Sequence, residues 1–377
     1  MRKTAILLTC VLLVGTASGA QAPDEEGGQR FDSWMSAYSL NKDTNDVAAF
    51  LKWVAQSEAY RENDSAVMPT ASFLSVIFRD NPKKVAKWVK SVSFSGNARK
   101  VVERALWLAG RAKLIKSTFG KSPKYAKRRP PNLKKLKVKG PADLDMMWGA
   151  FMASGDVTYP GRIIDVLDAD KALSGDEKMD AATRGAAEWS LSSFYRSHEL
   201  VHRLIQARAK EAKGTIKEAL DEIISQNEPK SVPLPNRDGQ FCATMSLMAE
   251  KDLEEFGKPS DVPIRIESIS KAKRGDIIAV TFVFSGMELT DELRAHVVYD
   301  LKIVGPDGEL YEETDLKNQE AVRRKLITRF RFYHNDSMVM LRFEPKDQLG
   351  EYKFTAEMRD LIGKKKIPLH AELELTE

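Results

Sequence analysis

The stretch Val297-Val298-Tyr299-Asp300-Leu301-Lys302-Ile303-Val304 decides how the chain is read. From Tyr299 onward apolar and polar residues alternate, so Tyr299, Leu301 and Ile303 share one face of an extended strand. Gly305-Pro306-Asp307-Gly308 then supplies a turn, and Leu310-Tyr311 begin another strand. The same short period marks candidate strands at 264–269, 277–284, 326–333, 338–343, 352–358 and 367–375. Seven or eight strands in roughly 115 residues predict an antiparallel, immunoglobulin-like β-sandwich over 262–377.

Working back from Pro263, Gly257 and Pro259 mark the expected domain border, and the period changes to 3.6. Residues 31–256 read as one α-helical domain. Val47, Phe50, Leu51 and Val54 form one apolar stripe; Phe73, Leu74, Ile77 and Phe78 form another. Asn81-Pro82 reads as an N-cap followed by Pro at the first helical position. Residues 241–256 read as a last helix, after Pro229, Pro233 and Pro235.

Four segments align from Thr44, Pro82, Pro160 and His198. Three residues on lie Val47, Val85, Ile163 and Val201; seven on lie Leu51, Val89, Leu167 and Ile205. Nine before lie Met35, Phe73, Phe151 and Trp189. A spacing near 40 residues suits an array of helical hairpins of the HEAT-like kind, or an irregular bundle of similar hairpins. The fold class expected is therefore multidomain α plus β, with an all-α helical-hairpin domain followed by the sandwich.

The stretches Met146-Met147-Trp148-Gly149-Ala150-Phe151-Met152-Ala153-Ser154-Gly155-Asp156, Ile163-Ile164-Asp165-Val166-Leu167 and Phe78-Arg79-Asp80-Asn81-Pro82 resemble segments of uncharacterised secreted bacterial helical proteins. The resemblance covers the helical half. It implies no known activity and assigns no catalytic residue. The C-terminal part resembles immunoglobulin-like domains of the wider sandwich class, since both cysteines of the antibody pattern are absent.

The first residues carry an address. Arg2 and Lys3 precede the apolar run from Ala5 to Val14, and small residues follow. That order predicts a signal peptide at 1–20 and a periplasmic or secreted protein. Ten apolar residues are too few for a transmembrane span, and no other stretch is long enough. Loss of the leader removes Cys10, so Cys242 is the one remaining cysteine and an intrachain disulfide is impossible. The 377 residues, 42% hydrophobic and 30% charged, exclude a collagen-like or wholly disordered chain.

Charge is segregated. Residues 111–140 hold twelve Lys or Arg and no acid, with Pro123, Pro130 and Pro131 among them, which predicts a loop or extended insertion. The rest of the mature chain has 45 basic against 54 acidic residues. Lys127, Arg128, Arg129, Lys134, Lys135 and Lys137 are the anion-binding candidates, for a lipid headgroup, an acidic glycan or an acidic protein face. Nucleic acid is disfavoured, because Tyr125 is the one aromatic residue in the densest stretch. A solvated, mobile loop is the plainer alternative.

Two motifs carry potential chemistry. His198-Glu199-Leu200-Val201-His202 matches H-E-x-x-H, which resembles the zinc metallopeptidase pattern. That resemblance implies His198, His202 and Glu222 as zinc ligands and Glu199 as the catalytic base. Against it, Arg196 and Arg203 flank the motif, and no sheet precedes it. Ser197 reads as an N-cap, with His198 and Glu199 opening a helix, where an acid is favoured by the helix dipole alone. Cys242, at the start of the expected last helix, pairs in principle with His296, but a lone Cys among Met245, Leu247 and Met248 suits a buried hydrophobe better. His334 and His370 read as ordinary strand residues. The sequence thus favours a non-enzymatic binding or scaffold protein with no cofactor, whose partner is a protein or another envelope component. The zinc peptidase is the alternative.

Overall fold

The computed structural model describes residues 23–58, 60, 64–228, 234–253, 268–311 and 314–377. The expected leader at 1–20 lies outside them, as do residues 264–267 of the first expected strand. The described residues belong to two compact units, Met1–Glu228 and Pro229–Glu377. The first is helical and the second is built of two sheets, so the chain is α plus β.

Eleven α-helices are present among the described residues of the first unit. They are α1 (Pro23–Asn41), α2 (Val47–Gln56), α3 (Val67–Asp80), α4 (Val85–Lys90), α5 (Gly96–Leu108), α6 (Ala112–Phe119), α7 (Pro141–Ser154), α8 (Thr158–Asp165), α9 (Glu177–Ser197), α10 (Glu199–Glu211) and α11 (Gly214–Asn227). The aligned segments each end one helix and begin the next, giving the pairs α1/α2, α3/α4, α7/α8 and α9/α10. Val47, Val85, Ile163 and Val201 are all fully buried, as their common place in the alignment requires. Trp189 breaks the pattern, for it is 53% exposed where Phe73 and Phe151 are buried.

Burying these apolar stripes supplies most of the helical stability, at about 1.5–3 kcal/mol for each large side chain. Phe31, Trp34, Tyr38, Phe50, Trp53 and Phe73 form a continuous aromatic cluster joining α1, α2 and α3, with ring centroids 5.2–6.4 Å apart. Helix α7 sits at the centre and packs against α1, α3 and α9. Its contact with α3 depends on Gly149, where an added Cβ would come within 2.1 Å of the Pro69 carbonyl oxygen. The α1–α7 contact joins pairs that are not consecutive, so the packing departs from a strict neighbour-to-neighbour array.

Asn81 closes α3 instead of capping the next helix. Its Nδ2 donates to the Ile77 carbonyl at 3.0 Å, and α4 begins only at Val85.

The second unit holds β1 (Asn236–Asp238), β2 (Phe241–Ala249), β3 (Lys271–Lys273), β4 (Ile277–Ser285), β5 (Val297–Val304), β6 (Leu316–Val322), β7 (Tyr333–His334), β8 (Val339–Arg342), β9 (Gly350–Asp360) and β10 (Lys365–Thr376). One sheet runs β1-β2-β4-β7, with β8 also paired to β4; the other runs β3-β10-β9-β5-β6. All pairings are antiparallel except β3 with β10. Phe241, Leu247, Phe282 and Phe284 of the first sheet share a core with Tyr299, Ile303, Phe354, Met358 and Leu373 of the second. This is the expected sandwich.

Three expectations are corrected here. Residues 241–249 are strand, not helix, and β2 pairs with β4 from Cys242↔Ser285 to Ala249↔Ile278. The units therefore divide near residue 229 and not at 257–263. Of the strand expected at 326–333, only Tyr333 is in a strand. Leu326, Ile327, Thr328 and Arg329 are buried in succession, without alternation, and are held by a Gly286 N–H to Arg329 O bond of 2.8 Å.

Candidate functional site

The H-E-x-x-H segment lies at the joint between α9 and α10. His198 is the N-cap of α10 with extended backbone angles, and Glu199 is its first residue. Ser197, expected as the cap, instead ends α9, and its Oγ donates to the Ser193 carbonyl. His198 is 2% exposed and its ring lies 4.6 Å from that of Phe151; the His202 ring lies 4.5 Å from that of Tyr195. Glu199 is fully buried and accepts from Arg203 Nε at 2.9 Å. A carboxylate tied up in this way is a poor base for water. Glu222 is exposed on α11 and accepts from Gln226 Nε2. The structure thus does not gather the expected ligand set. Among the described residues no three His, Cys, Asp or Glu side chains are grouped to hold a metal ion.

Cys242 sits in β2, 1% exposed, and burial pushes its thiol pKa up. It occupies the first sheet, whereas His296 immediately precedes β5 of the second, beside Glu320 at 3.9 Å. A thiol buried in a paired strand, with its pKa raised, lacks the thiolate character of an activated cysteine.

Residues 111–140 are not one loop. Their first third is helix α6, which buries Ile115. The remainder forms two short 3₁₀ turns, Lys124–Lys127 and Leu133–Lys135, joined by extended chain. We call residues 121–140 the strap. Ala126, Leu133 and Val138 are buried, while Lys127, Arg128, Arg129, Lys134, Lys135, Lys137 and Lys139 point to solvent. Apolar pegs at intervals explain why so basic a segment lies down on the helices.

Polar pins complete the attachment. Trp107 Nε1 of α5 donates to the Arg128 carbonyl at 2.8 Å. The Tyr125 ring packs edge-on against Trp107 at 5.2 Å, and the Arg104 guanidinium lies 5.5 Å above it. Arg162 of α8 donates to the carbonyls of Lys134 and Leu136, each at 2.5 Å. The Lys134 ammonium is paired with the Asp156 carboxylate. Partial burial works to raise the Asp156 pKa, but hydrogen bonds from Lys134 and Thr158 outweigh it and hold the carboxyl at about 2.

Of the six anion-binding candidates, Lys134 is thus engaged within the fold. Among the described residues, Lys127, Arg128, Arg129, Lys135 and Lys137 form no ion pair. Sequence reading found the cations but not the pins. Trp107, Asp156 and Arg162 lie 21 to 28 residues from their partners, and no local pattern signals such bonds.

The second unit carries a cavity of about 390 Å³, lined in part by Asp307, Glu309, Tyr311, Asp347 and Tyr352. Its tyrosine hydroxyls donate to Asp347 Oδ2 and the Gln348 carbonyl, so they tie its loops together.

No protein-family model matches the chain, and no curated protein matches it. Solved structures give distant likenesses. A family 123 glycoside hydrolase from Clostridium perfringens is 10% identical with a TM-score of 0.23, covering 36% of this chain and 27% of that one. A Niemann-Pick type C2 protein from Japanese carpenter ant is 11% identical with a TM-score of 0.22, covering 40% and 98%. The Pseudomonas fluorescens alkylpurine DNA glycosylase AlkC is 12% identical with a TM-score of 0.21, covering 89% and 83%. At these scores none carries an argument about fold or function. Among the described residues, no helix is long and apolar enough to cross a membrane.

Proposed function

We propose that this chain is an exported, non-enzymatic binding or scaffold protein whose helical unit engages an anionic partner of the cell envelope. The leader-like residues 1–20 support periplasmic or secreted placement. One observation carries the rest: a cationic segment bonded to the helices through Trp107, Asp156 and Arg162, with Lys127, Arg128, Arg129, Lys135 and Lys137 exposed and, among the described residues, outside any ion pair. A disordered basic tail loses entropy when it is ordered on a ligand; a pinned strap has already lost it. The burial of Glu199 in its pair with Arg203, and the exposure of Glu222, weigh against the peptidase reading.

The full chain without its leader is expected to be retained on a polyanionic matrix at about 50 mM salt and released well before 1 M, because screening shortens with ionic strength. No retention on any polyanion, dissolved or vesicle-bound, would sink the proposal. Metal analysis of the same preparation tests the alternative. Stoichiometric zinc lost in both His198→Ala and His202→Ala would replace the binding reading with the metallopeptidase.

A further inference from the structure

The strap offers its cations in a line. From Lys135 to Lys139 exposure alternates: Lys135, Lys137 and Lys139 face out, Val138 is buried and Leu136 is half-buried. Leu136 has extended backbone angles, φ −61° and ψ 123°. Lys135, Lys137 and Lys139 therefore form a short comb of exposed cations at alternate residues. Arg162 fixes the inner side of this comb through the carbonyls of Lys134 and Leu136, and Asp143 Oδ2 accepts the Lys139 backbone N–H at 2.8 Å. Lys127, Arg128 and Arg129 add a second run of exposed cations, held by the Trp107 bond to the Arg128 carbonyl.

The surroundings discriminate among anionic partners. A membrane surface is gripped firmly when an apolar anchor accompanies the charges. Among the described residues of 111–140, no large hydrophobic side chain is exposed, and the apolar pegs all point into the helical unit. Single-stranded nucleic acid needs aromatic faces on which bases stack. Here the one aromatic side chain of the strap, Tyr125, has its ring taken up by Trp107 and Arg104. A row of strongly hydrated point charges without an apolar anchor or a stacking face suits a linear polymer bearing one carboxylate or sulfate per sugar or two.

We infer that the strap is the binding site for an acidic polysaccharide, read by Lys135, Lys137 and Lys139 with Lys127, Arg128 and Arg129. Lys134 is a positioning residue, because its ammonium is held by Asp156. This inference rests on the anionic-partner reading and specifies it.

The test uses the full chain without its leader and three probes: polyuronate oligosaccharides, phosphatidylglycerol vesicles and a single-stranded oligonucleotide. Polyuronate binds with a log–log salt slope set by the number of contacts, as counterion release from a linear polyanion dictates. The Lys135→Gln/Lys137→Gln/Lys139→Gln variant loses at least about tenfold in polyuronate affinity, and its slope falls by about two to three. Lys134→Met loses about threefold or less and keeps the slope of the parent, since a pin contributes no contact. Thermal unfolding near that of the parent shows that the triple variant is folded. Charge retained as Arg at the three positions restores binding. The inference is overturned if vesicles or oligonucleotide bind as tightly as polyuronate, if the triple variant keeps parental affinity, or if Lys134→Met lowers the slope as much as the triple change. Those outcomes leave binding to anions in general intact, whereas loss of binding to all three probes removes the broader proposal as well.

Discussion

Lys134 and Lys135 are adjacent, chemically identical and both exposed, yet of the two only Lys134 is engaged in an ion pair among the described residues. What separates them is Asp156, which the chain brings to Lys134 from the turn after α7. The carboxyl is held at about 2, below its ordinary value of 3.8. A depressed acid pKa contributes stability that is complete above the unfolded value and is lost as pH falls through the folded one. Relative to Asp156→Asn, the parent is therefore expected to be more stable at pH 7, by no more than about 1 kcal/mol because the pair is partly exposed. The difference shrinks between about pH 4 and pH 2. Urea unfolding at several pH values reads this. A difference that stays constant down to pH 2 would show that the carboxylate charge is not what matters. Nothing in the run Asn132-Leu133-Lys134-Lys135-Leu136-Lys137 distinguishes a pin from a contact, because the distinction lies 22 residues away.

Elements were legible where only one face is buried. Strand β5 alternates in burial after Val297-Val298-Tyr299 and was read to its last residue. Strand β2 was misread because Phe241-Cys242-Ala243-Thr244-Met245-Ser246-Leu247-Met248-Ala249 is buried on both faces. Such a strand shows no period of two, and Ala, Met and Leu are good helix formers. Edge strand β6 failed for the opposite reason: Leu316-Lys317-Asn318-Gln319-Glu320 is largely exposed and shows no apolar face. The correction to β2 has a measurable result. With Cys242 in a paired strand and its pKa raised by burial, little thiolate exists at neutral pH. The thiol is expected to react with an aromatic disulfide reagent only after unfolding by denaturant. Rapid stoichiometric labelling of the native protein would contradict the assignment of residues 241–249 to the sheet. The joint between α9 and α10 was nearly legible, since the helix-start reading of His198-Glu199 holds with its cap one residue later.

At the scale of the whole chain, the position of β2 moves the start of the sandwich. Its side chains Phe241 and Leu247 share a core with Phe282, Phe284 and Leu373. A fragment of residues 229–377 is expected to fold, with strand-type circular dichroism and a cooperative thermal transition. One starting at residue 262 lacks β1 and β2, uncovers the edge of β4 and is expected to aggregate. Equal solubility and equal cooperativity of the two fragments would place the border back at 257–263. Charge divides along different lines from fold, for the strap belongs to the helical unit while the body around it is acidic. Composition alone revealed that division, since counting needs no contacts.

The parallel pairing of β3 with β10 also sets an order of events during synthesis. Ala272 meets Leu375, more than a hundred residues later, and β10 separates β3 from β9 in its sheet. Until residues 365–376 emerge, β3 has no neighbour and β9 lacks one of its two. Contacts this distant along the chain form slowly. The β3-β10-β9-β5-β6 sheet is therefore completed by a single late pairing, and β3 finds its partner only once the last long strand has docked.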